Sequence, residues 1–289
     1  MSIIRARVLR RGALALPLTV SAVLLLVLVS LPAPWGTAVL TGVFLVAFWG
    51  LTGVGEVAVV RALTFASRTK LHQRYTLAGV ARVLQDCGVD PVQLLVARWG
   101  GVCARAYGRR TVVVGRSLVE EVARGRLPCA DAAALIAHEV GVQRVGLTRT
   151  DAALGVILLP WELVAGAMIG LWRALGATLA PWVRWASLAI AFGIQIWLAA
   201  TADARHLAPA LLLGAIFATC GLSQAWSRAR ADLGDTYLTQ HGLGAIYATI
   251  LWRSFPDDRS RDRAVRLLHP PAPQPSGSSP VQATMRSGL

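Results

Sequence analysis

Two long apolar runs near the N-terminus limit the folds open to this chain. Residues 12–30 and 37–60 are each long enough to cross a bilayer as a helix, which needs about 20 apolar residues. Arginines precede the first run and follow the second. Because Lys and Arg concentrate on the cytoplasmic side of membrane helices, this arrangement predicts a transmembrane hairpin with both ends in the cytoplasm.

The composition favours the same class. Of the 289 residues 55% are hydrophobic, and the mean hydropathy is +0.55. The formal net charge of +14 comes almost wholly from arginine, since Lys70 is the single lysine. These arginines flank apolar runs instead of alternating with stacking aromatics, so they indicate a lipid bilayer as partner and argue against nucleic acid. We expect a multi-pass protein of a bacterial-type inner or plasma membrane, with its main domain in the cytoplasm.

Three more apolar runs follow at residues 152–171, 185–200 and 207–223. An odd number of membrane crossings between residues 152 and 226 would place the polar segments before and after them on opposite sides of the membrane. The first run contains Pro160 and Glu162, and arginines flank the turn that precedes the second run. We therefore predict that the last two runs form a second transmembrane hairpin and that 152–171 lies along the inner interface, which makes about four transmembrane helices.

Between the hairpins the patterns are those of a small α+β unit. An amphipathic helix is expected at 71–88, a strand at 89–96, two strands joined by a tight turn at 100–115 and a helix from 117 to 123. The predicted organisation is therefore a transmembrane hairpin (1–61), a cytoplasmic domain (62–151), an interface helix with a second hairpin (152–226), a further helix that completes the domain (227–269) and a disordered tail rich in Pro and Ser (270–289).

The last helix of the cytoplasmic domain carries a zinc-site motif with one ligand missing. It reads His138-Glu139-Val-Gly-Val142, where the metal-binding motif is H-E-x-x-H. Residues four apart share a helix face, so the two histidines of an intact motif bind one Zn²⁺ while the glutamate polarises the metal-bound water. Val142 has no lone pair to offer a metal.

The layout resembles the HtpX-type membrane metallopeptidases, relatives of the CAAX prenyl endopeptidases, over about residues 71–269. In that family a helix of the form S-R-x-x-E-Y-x-A-D-x-Y follows the motif helix and supplies the third zinc ligand. The residues that carry the resemblance are Ala137-His138-Glu139, Ser227-Arg228, Asp235, Tyr237, Gly242 and Gly244. The resemblance implies an α-helical integral membrane protein with a small cytoplasmic α+β domain of the gluzincin type.

The same register implies roles for individual residues. Ala231 stands at the third ligand position and Val142 at the second, so His138 remains as a relict ligand and Glu139 is a general base only if a metal is bound. Asp235 matches the family's aspartate that hydrogen-bonds the first histidine. The run at 108–114 looks like the family's edge strand beside a substrate cleft, and the cleft residues implied are Gly108, Arg109, Arg110, Thr111, Val112 and Tyr237.

Because a catalytic Zn²⁺ needs three protein ligands, we expect a protein that has kept the fold and lost peptide cleavage. We expect no cofactor in such a site, and a role as scaffold, regulator or binding subunit for another membrane protein. An extended peptide bound along the strand edge is a further possible partner. Within such a protein His138 and Glu139 form a structural polar pair, with Asp235 and Arg228 as the expected partners.

Two alternatives stay open. One is an active membrane zinc endopeptidase in which Asp232, Asp235 or His241 joins His138. Asp232 is rotated by about 100° from the ligand face, and His241 lies about 15 Å from Ala231 along a straight helix, so both fit poorly. The other is a small transport element, prompted by the acids Glu56 and Glu162, which the lack of repeated halves disfavours.

Overall fold

The computed structural model describes residues 3–29, 35–53, 55–98, 100–176, 181–201, 207–254 and 257–269. This part of the chain is mostly helical, with one small sheet. Its elements are α1 Ile3–Val29, α2 Trp35–Leu51, α3 Glu56–Thr64, β1 Ala66–Arg68, α4 Leu71–Asp86, β2 Gln93–Ala97, β3 Ala104–Tyr107, β4 Thr111–Val114, α5 Arg116–Ala123, α6 Cys129–Arg144, α7 Asp151–Gly176, α8 Pro181–Thr201, α9 Leu207–Gln240, α10 Gly244–Ser254 and α11 Asp258–Leu268. The predicted α+β pattern of the central segment is confirmed.

The sheet has the strand order β1-β2-β4-β3, in which β4 is parallel to β2 and antiparallel to β3. β4 is therefore an inner strand, and the prediction that 108–114 forms an edge strand is wrong. All four residues of β4 are buried, as the continuous run Thr-Val-Val-Val allows for a strand covered on both faces. The edge on this side of the sheet is β3.

The two faces of the sheet pack against different helices. Val112 and Val114 belong to a core with α4, α5, α6, α10 and α11. Leu95 and Val113 belong to a second core with α2, α3 and the start of α7. Because side chains alternate along a strand, the sheet separates the helices that carry the motif from the apolar helices.

One helix of the described residues, Ile3–Val27, is by itself long and apolar enough to cross a membrane. The second predicted run is not a single helix. α2 and α3 meet at a bend of 120° and pass the same test only when they are joined. Gly53, which has φ +80°, lies at the break, where the sequence Thr-Gly-Val-Gly contains two residues that weaken a helix. A protein with four crossings stays a prediction.

The later helices differ from the expected boundaries. α7 extends to Gly176, five residues beyond the predicted run. α9 is one continuous helix of 34 residues, although a break was expected between 223 and 227. The connecting sequence Ser-Gln-Ala-Trp-Ser contains no Pro or Gly, so nothing in it interrupts the helix. The helix ends at Gln240, just before Gly242, which has φ +72° and is a typical residue after a helix end. The predicted tail at 270–289 lies outside the described residues.

Candidate functional site

Two glycines bring α6 and α9 into close contact. A Cβ atom on Gly234 of α9 would overlap the imidazole of His138, and one on Gly141 of α6 would overlap Tyr237. No other side chain fits between the helices at these points. This close packing places Asp235 directly beside His138, although the two residues are 97 positions apart in the sequence.

His138 is buried between two carboxylates. Its Nδ1 lies 3.4 Å from Oε1 of Glu139, and its Nε2 lies 3.5 Å from Oδ1 of Asp235. The ring stacks on Tyr247 with the centroids 5.0 Å apart. Burial by itself would lower the pKa of His138, but the hydrogen bonds and charges of Asp235 and Glu139 outweigh it, so the pKa is raised. The site therefore favours the imidazolium.

Arg263 of α11 adds a fixed cation to the same site. Its Nε donates to Oδ2 of Asp235 at 3.0 Å and its Nη2 donates to Oδ1 at 2.8 Å. The same Nη2 lies 3.5 Å from Nε2 of His138. Burial would raise the pKa of Asp235, but His138 and Arg263 together lower it. Both oxygens of Asp235 are thus used by Arg263, in the two-pronged geometry that suits a carboxylate.

Glu139 is held by two other groups. Its Oε2 accepts a hydrogen bond of 2.9 Å from the backbone N–H of Ala106 on the edge strand β3, and it pairs with Arg230 of α9. Burial would raise the pKa of Glu139, but His138, Arg230 and Ala106 lower it to about 2. A general base works best with a pKa near the working pH, so this carboxylate is a weak base.

The predicted ligand positions do not converge on a metal site. Val142 is fully buried, and Ala231 is partly exposed with a methyl side chain. His241 lies past the end of α9, where its Nδ1 is 2.9 Å from the carbonyl oxygen of Tyr237. Among the described residues no group of three or more His, Cys, Asp or Glu is arranged to hold a metal ion. With one imidazole and a carboxylate already bound to Arg263, the residues present do not fit zinc.

The residues assigned to a substrate cleft do not form a cleft together. Thr111 and Val112 are fully buried in the sheet, so they cannot line an open cleft. Gly108, Arg109 and Arg110 form the turn between β3 and β4. The expectation of a cleft along 108–112 came from treating this run as the sheet edge, which is β3 instead.

Glu56 binds the turn between β3 and β4. Its carboxylate accepts hydrogen bonds from the backbone N–H of Arg109 at 2.9 Å and from Oγ1 of Thr111 at 2.8 Å, with Arg110 N–H at 3.4 Å. Gly108 has φ +61°, and a Cβ there would overlap the carboxylate. Glu56 therefore has a structural role at the start of α3 and does not support a transport function.

A cavity of about 360 Å³ adjoins the motif on the side of Arg230. It lies between α1, α7 and α9, and Arg10 on its wall pairs with Asp151 at the start of α7. Glu162 also reaches this wall, at the surface of α7. Leu14 and Leu158 contribute apolar surface to the wall. Arg230 lines this cavity, but His138 and Glu139 do not.

Sequence reasoning missed most partners of the motif. Arg228 was expected beside His138 and Glu139, but Arg230 takes that place. Arg228 and Arg230 are two positions apart, which is a rotation of about 200° on a helix, so their side chains lie on nearly opposite faces of α9. The spacing of Arg230 and Gly234 by four residues was a usable signal that they share a face. Nothing in the sequence pointed to Arg263 or Tyr247, which come from helices later in the chain.

Comparison of the chain with protein-family models, curated proteins and solved structures finds no match. The resemblance to HtpX-type metallopeptidases therefore depends on the motif residues of α6 and α9. The structure brings His138, Glu139 and Asp235 of that motif together, and it leaves Tyr237 packed on Gly141. The family assignment stays a prediction.

Proposed function

We propose that this chain is a membrane-anchored relative of HtpX-type metallopeptidases that has lost catalysis and acts as a scaffold, regulator or binding subunit. One observation carries the proposal. Arg263 lies 3.5 Å from Nε2 of His138 while it holds both oxygens of Asp235. A guanidinium therefore lies beside the imidazole nitrogen that faces Asp235, and its positive charge there opposes binding of a metal ion to His138.

The charges of the site support a structural network. Each carboxylate has its own arginine, Glu139 with Arg230 and Asp235 with Arg263, and His138 lies between the two pairs. A divalent cation entering this network would meet two guanidinium groups at short range in a partly buried site, where repulsion is strong. With both carboxylates bound by arginine, neither is available to activate a water or to bind a metal.

A membrane location is part of the proposal, with α1, α2, α8 and the first half of α9 as the crossing helices. The exposed apolar side chains on these helices support it. Large examples, each at least 62% exposed, are Leu26, Phe48, Ile190, Trp197 and Leu211. Exposed apolar surface on this scale favours contact with lipid or with another membrane protein. The domain that contains the sheet and α6 would then lie on the cytoplasmic side of the membrane.

The metal content of the detergent-purified protein tests the loss of catalysis. We expect far less than one zinc per chain in the wild type, measured by elemental analysis. The double variant Val142→His/Ala231→Glu restores two ligand types, but Arg263 still contacts His138 and Asp235. We therefore expect stoichiometric zinc only when Arg263→Ala is added to the double variant.

The alternative function, an active zinc endopeptidase with non-standard ligands, is decided by the same measurement. Asp235 is the one alternative ligand that lies beside His138, and it would have to release Arg263 to bind a metal. Stoichiometric zinc in the wild type, together with peptide cleavage that Glu139→Gln abolishes, would overturn the proposal and establish the alternative.

A further inference from the structure

A pocket rich in arginine lies on the surface outside the His138 site. It has a volume of about 690 Å³ and is bounded by the β3–β4 turn, the end of α6 and the connection from α6 to α7. Its charged lining residues are Arg109, Arg110, Arg144, Arg149 and Asp90. Four arginines against one aspartate leave three positive charges in excess. This pocket takes no part in the function proposed above.

Three of these arginines are available to a ligand. Arg144 pairs with Asp90, but within the described part of the chain the side chains of Arg109, Arg110 and Arg149 make no ion pair. All three are exposed. By contrast, the arginines of the His138 site, Arg230 and Arg263, are each bound to a carboxylate.

The backbone under these side chains is firmly held. Glu56 binds the N–H groups of the β3–β4 turn, as described above. Gln143 of α6 donates from Nε2 to the carbonyl oxygens of Tyr107 at 3.1 Å and of Thr111 at 3.2 Å. Oγ1 of Thr148 donates to the carbonyl oxygen of Gly108 at 2.7 Å. The pocket therefore does not need to assemble its walls when a ligand binds, which lowers the entropy cost of binding.

The β3–β4 turn of the pocket is tied to the junction where α2 ends and α7 begins. Glu56, which holds the turn, comes five residues after the last residue of α2. The end of α2 touches the start of α7, because a Cβ on Gly50 would lie 3.4 Å from the backbone nitrogen of Ala153. Arg149 lies two residues before α7. Trp49, near the same end of α2, is 49% exposed, as is typical of a tryptophan at a membrane interface.

We propose that this arginine pocket binds the phosphate headgroup of an anionic phospholipid in the cytoplasmic leaflet. Guanidinium groups bind phosphate oxygens through paired hydrogen bonds, and they lose less hydration than lysine does. The excess of positive charge disfavours headgroups that also carry a cation, such as phosphocholine. The proposal requires the membrane location but not the loss of catalysis.

The test is lipid binding by the full chain in detergent, measured by native mass spectrometry during titration with phosphatidylglycerol. The variant Arg109→Gln/Arg110→Gln/Arg149→Gln should bind at least about tenfold more weakly than the wild type, since each arginine near a headgroup contributes on the order of a factor of five. The control Arg259→Gln/Arg261→Gln/Arg266→Gln removes the same charge from exposed positions of α11 and should bind within about twofold of the wild type.

Three outcomes would overturn the proposal. The first is an equal loss in both triple variants, which would mean attraction by net charge alone. The second is saturable binding of phosphatidylcholine with similar affinity. The third is inorganic phosphate that binds as tightly as the lipid, which would make the pocket a site for free phosphate. If the triple variant fails to fold, the single variant Arg149→Gln replaces it, and an unchanged affinity there contradicts the proposal equally.

Discussion

Replacing Asp235 by asparagine removes one negative charge from the centre of the His138 network and keeps the shape of the side chain. The aspartate accepts two hydrogen bonds from Arg263, at 2.8 and 3.0 Å, and lies 3.5 Å from His138. After the change Arg263 keeps one acceptor at best and remains as a charge without its counter-ion. Its side chain is only 17% exposed, so water compensates little.

The expected cost is about 2–4 kcal/mol of the free energy of unfolding. Breaking a fully buried ion pair costs about 3–5 kcal/mol, and the slight exposure of both side chains reduces this somewhat. At roughly 2–4 °C for each kcal/mol, the melting temperature should fall by about 4–16 °C. The full chain in detergent micelles, melted by circular dichroism under one set of conditions, provides the measurement.

A double-mutant cycle with Arg263→Met separates the pair from its surroundings. The double variant should lose less than the sum of the two single variants, with a coupling of about 1–3 kcal/mol. Asp232→Asn is the matched control, because in the described structure the side chain of Asp232 makes no ion pair, and it should change stability by less than about 0.5 kcal/mol. Additive losses, or an Asp235→Asn variant that melts like the wild type, would show that the pair does not hold α9 and α11 together.

Three further outcomes are expected. Gly234→Ala should lower the melting temperature because the new methyl group overlaps His138, whereas Gly221→Ala on the same helix, where a Cβ meets nothing within 4 Å, should leave it unchanged or raise it; equal effects would contradict the close packing. Glu56→Gln should cost about 1–3 kcal/mol in chemical denaturation, because one acceptor of the β3–β4 turn becomes a donor that faces donors; an unchanged midpoint would refute this role. The pKa of His138 is raised in the folded protein, so its protonation stabilises the fold fully below about pH 6.5, the pKa in the unfolded chain, and this contribution is lost as the pH rises through the folded pKa. The wild type should therefore lose stability above about pH 6.5 more steeply than His138→Gln does. Parallel profiles of stability against pH would contradict this.

Local sequence patterns were enough for the elements around the site. The helical period of 71–86, the turn at Gly108 before the β-branched run 111–114 and the apolar helix of the motif all have short-range causes, and the structure has α4, β3, β4 and α6 there. The glycine signal at the end of α9 is of the same kind. Each of these features depends on neighbours within a few residues, so the sequence was sufficient to predict it.

Long apolar segments were harder to divide. The bend between α2 and α3 and the unbroken length of α9 were missed because hydropathy marks only apolar composition, which is compatible with either a straight or a broken helix. The place of β4 inside the sheet was missed for a different reason. Strand order is set by pairing with β2, which precedes β4 in the chain with the whole of β3 between them.

The sequence alone determined what the motif lacks. Val142 and Ala231 have no donor atoms, and that chemical fact holds in any fold. The tertiary structure decided what the remaining charged groups do. Glu139 receives Arg230 from 91 positions away, and His138 meets Arg263 from 125 positions away. No spacing rule connects residues so far apart, because their distance is set by how closely α6, α9 and α11 pack, and the glycines between α6 and α9 make that packing close enough for the charges to pair.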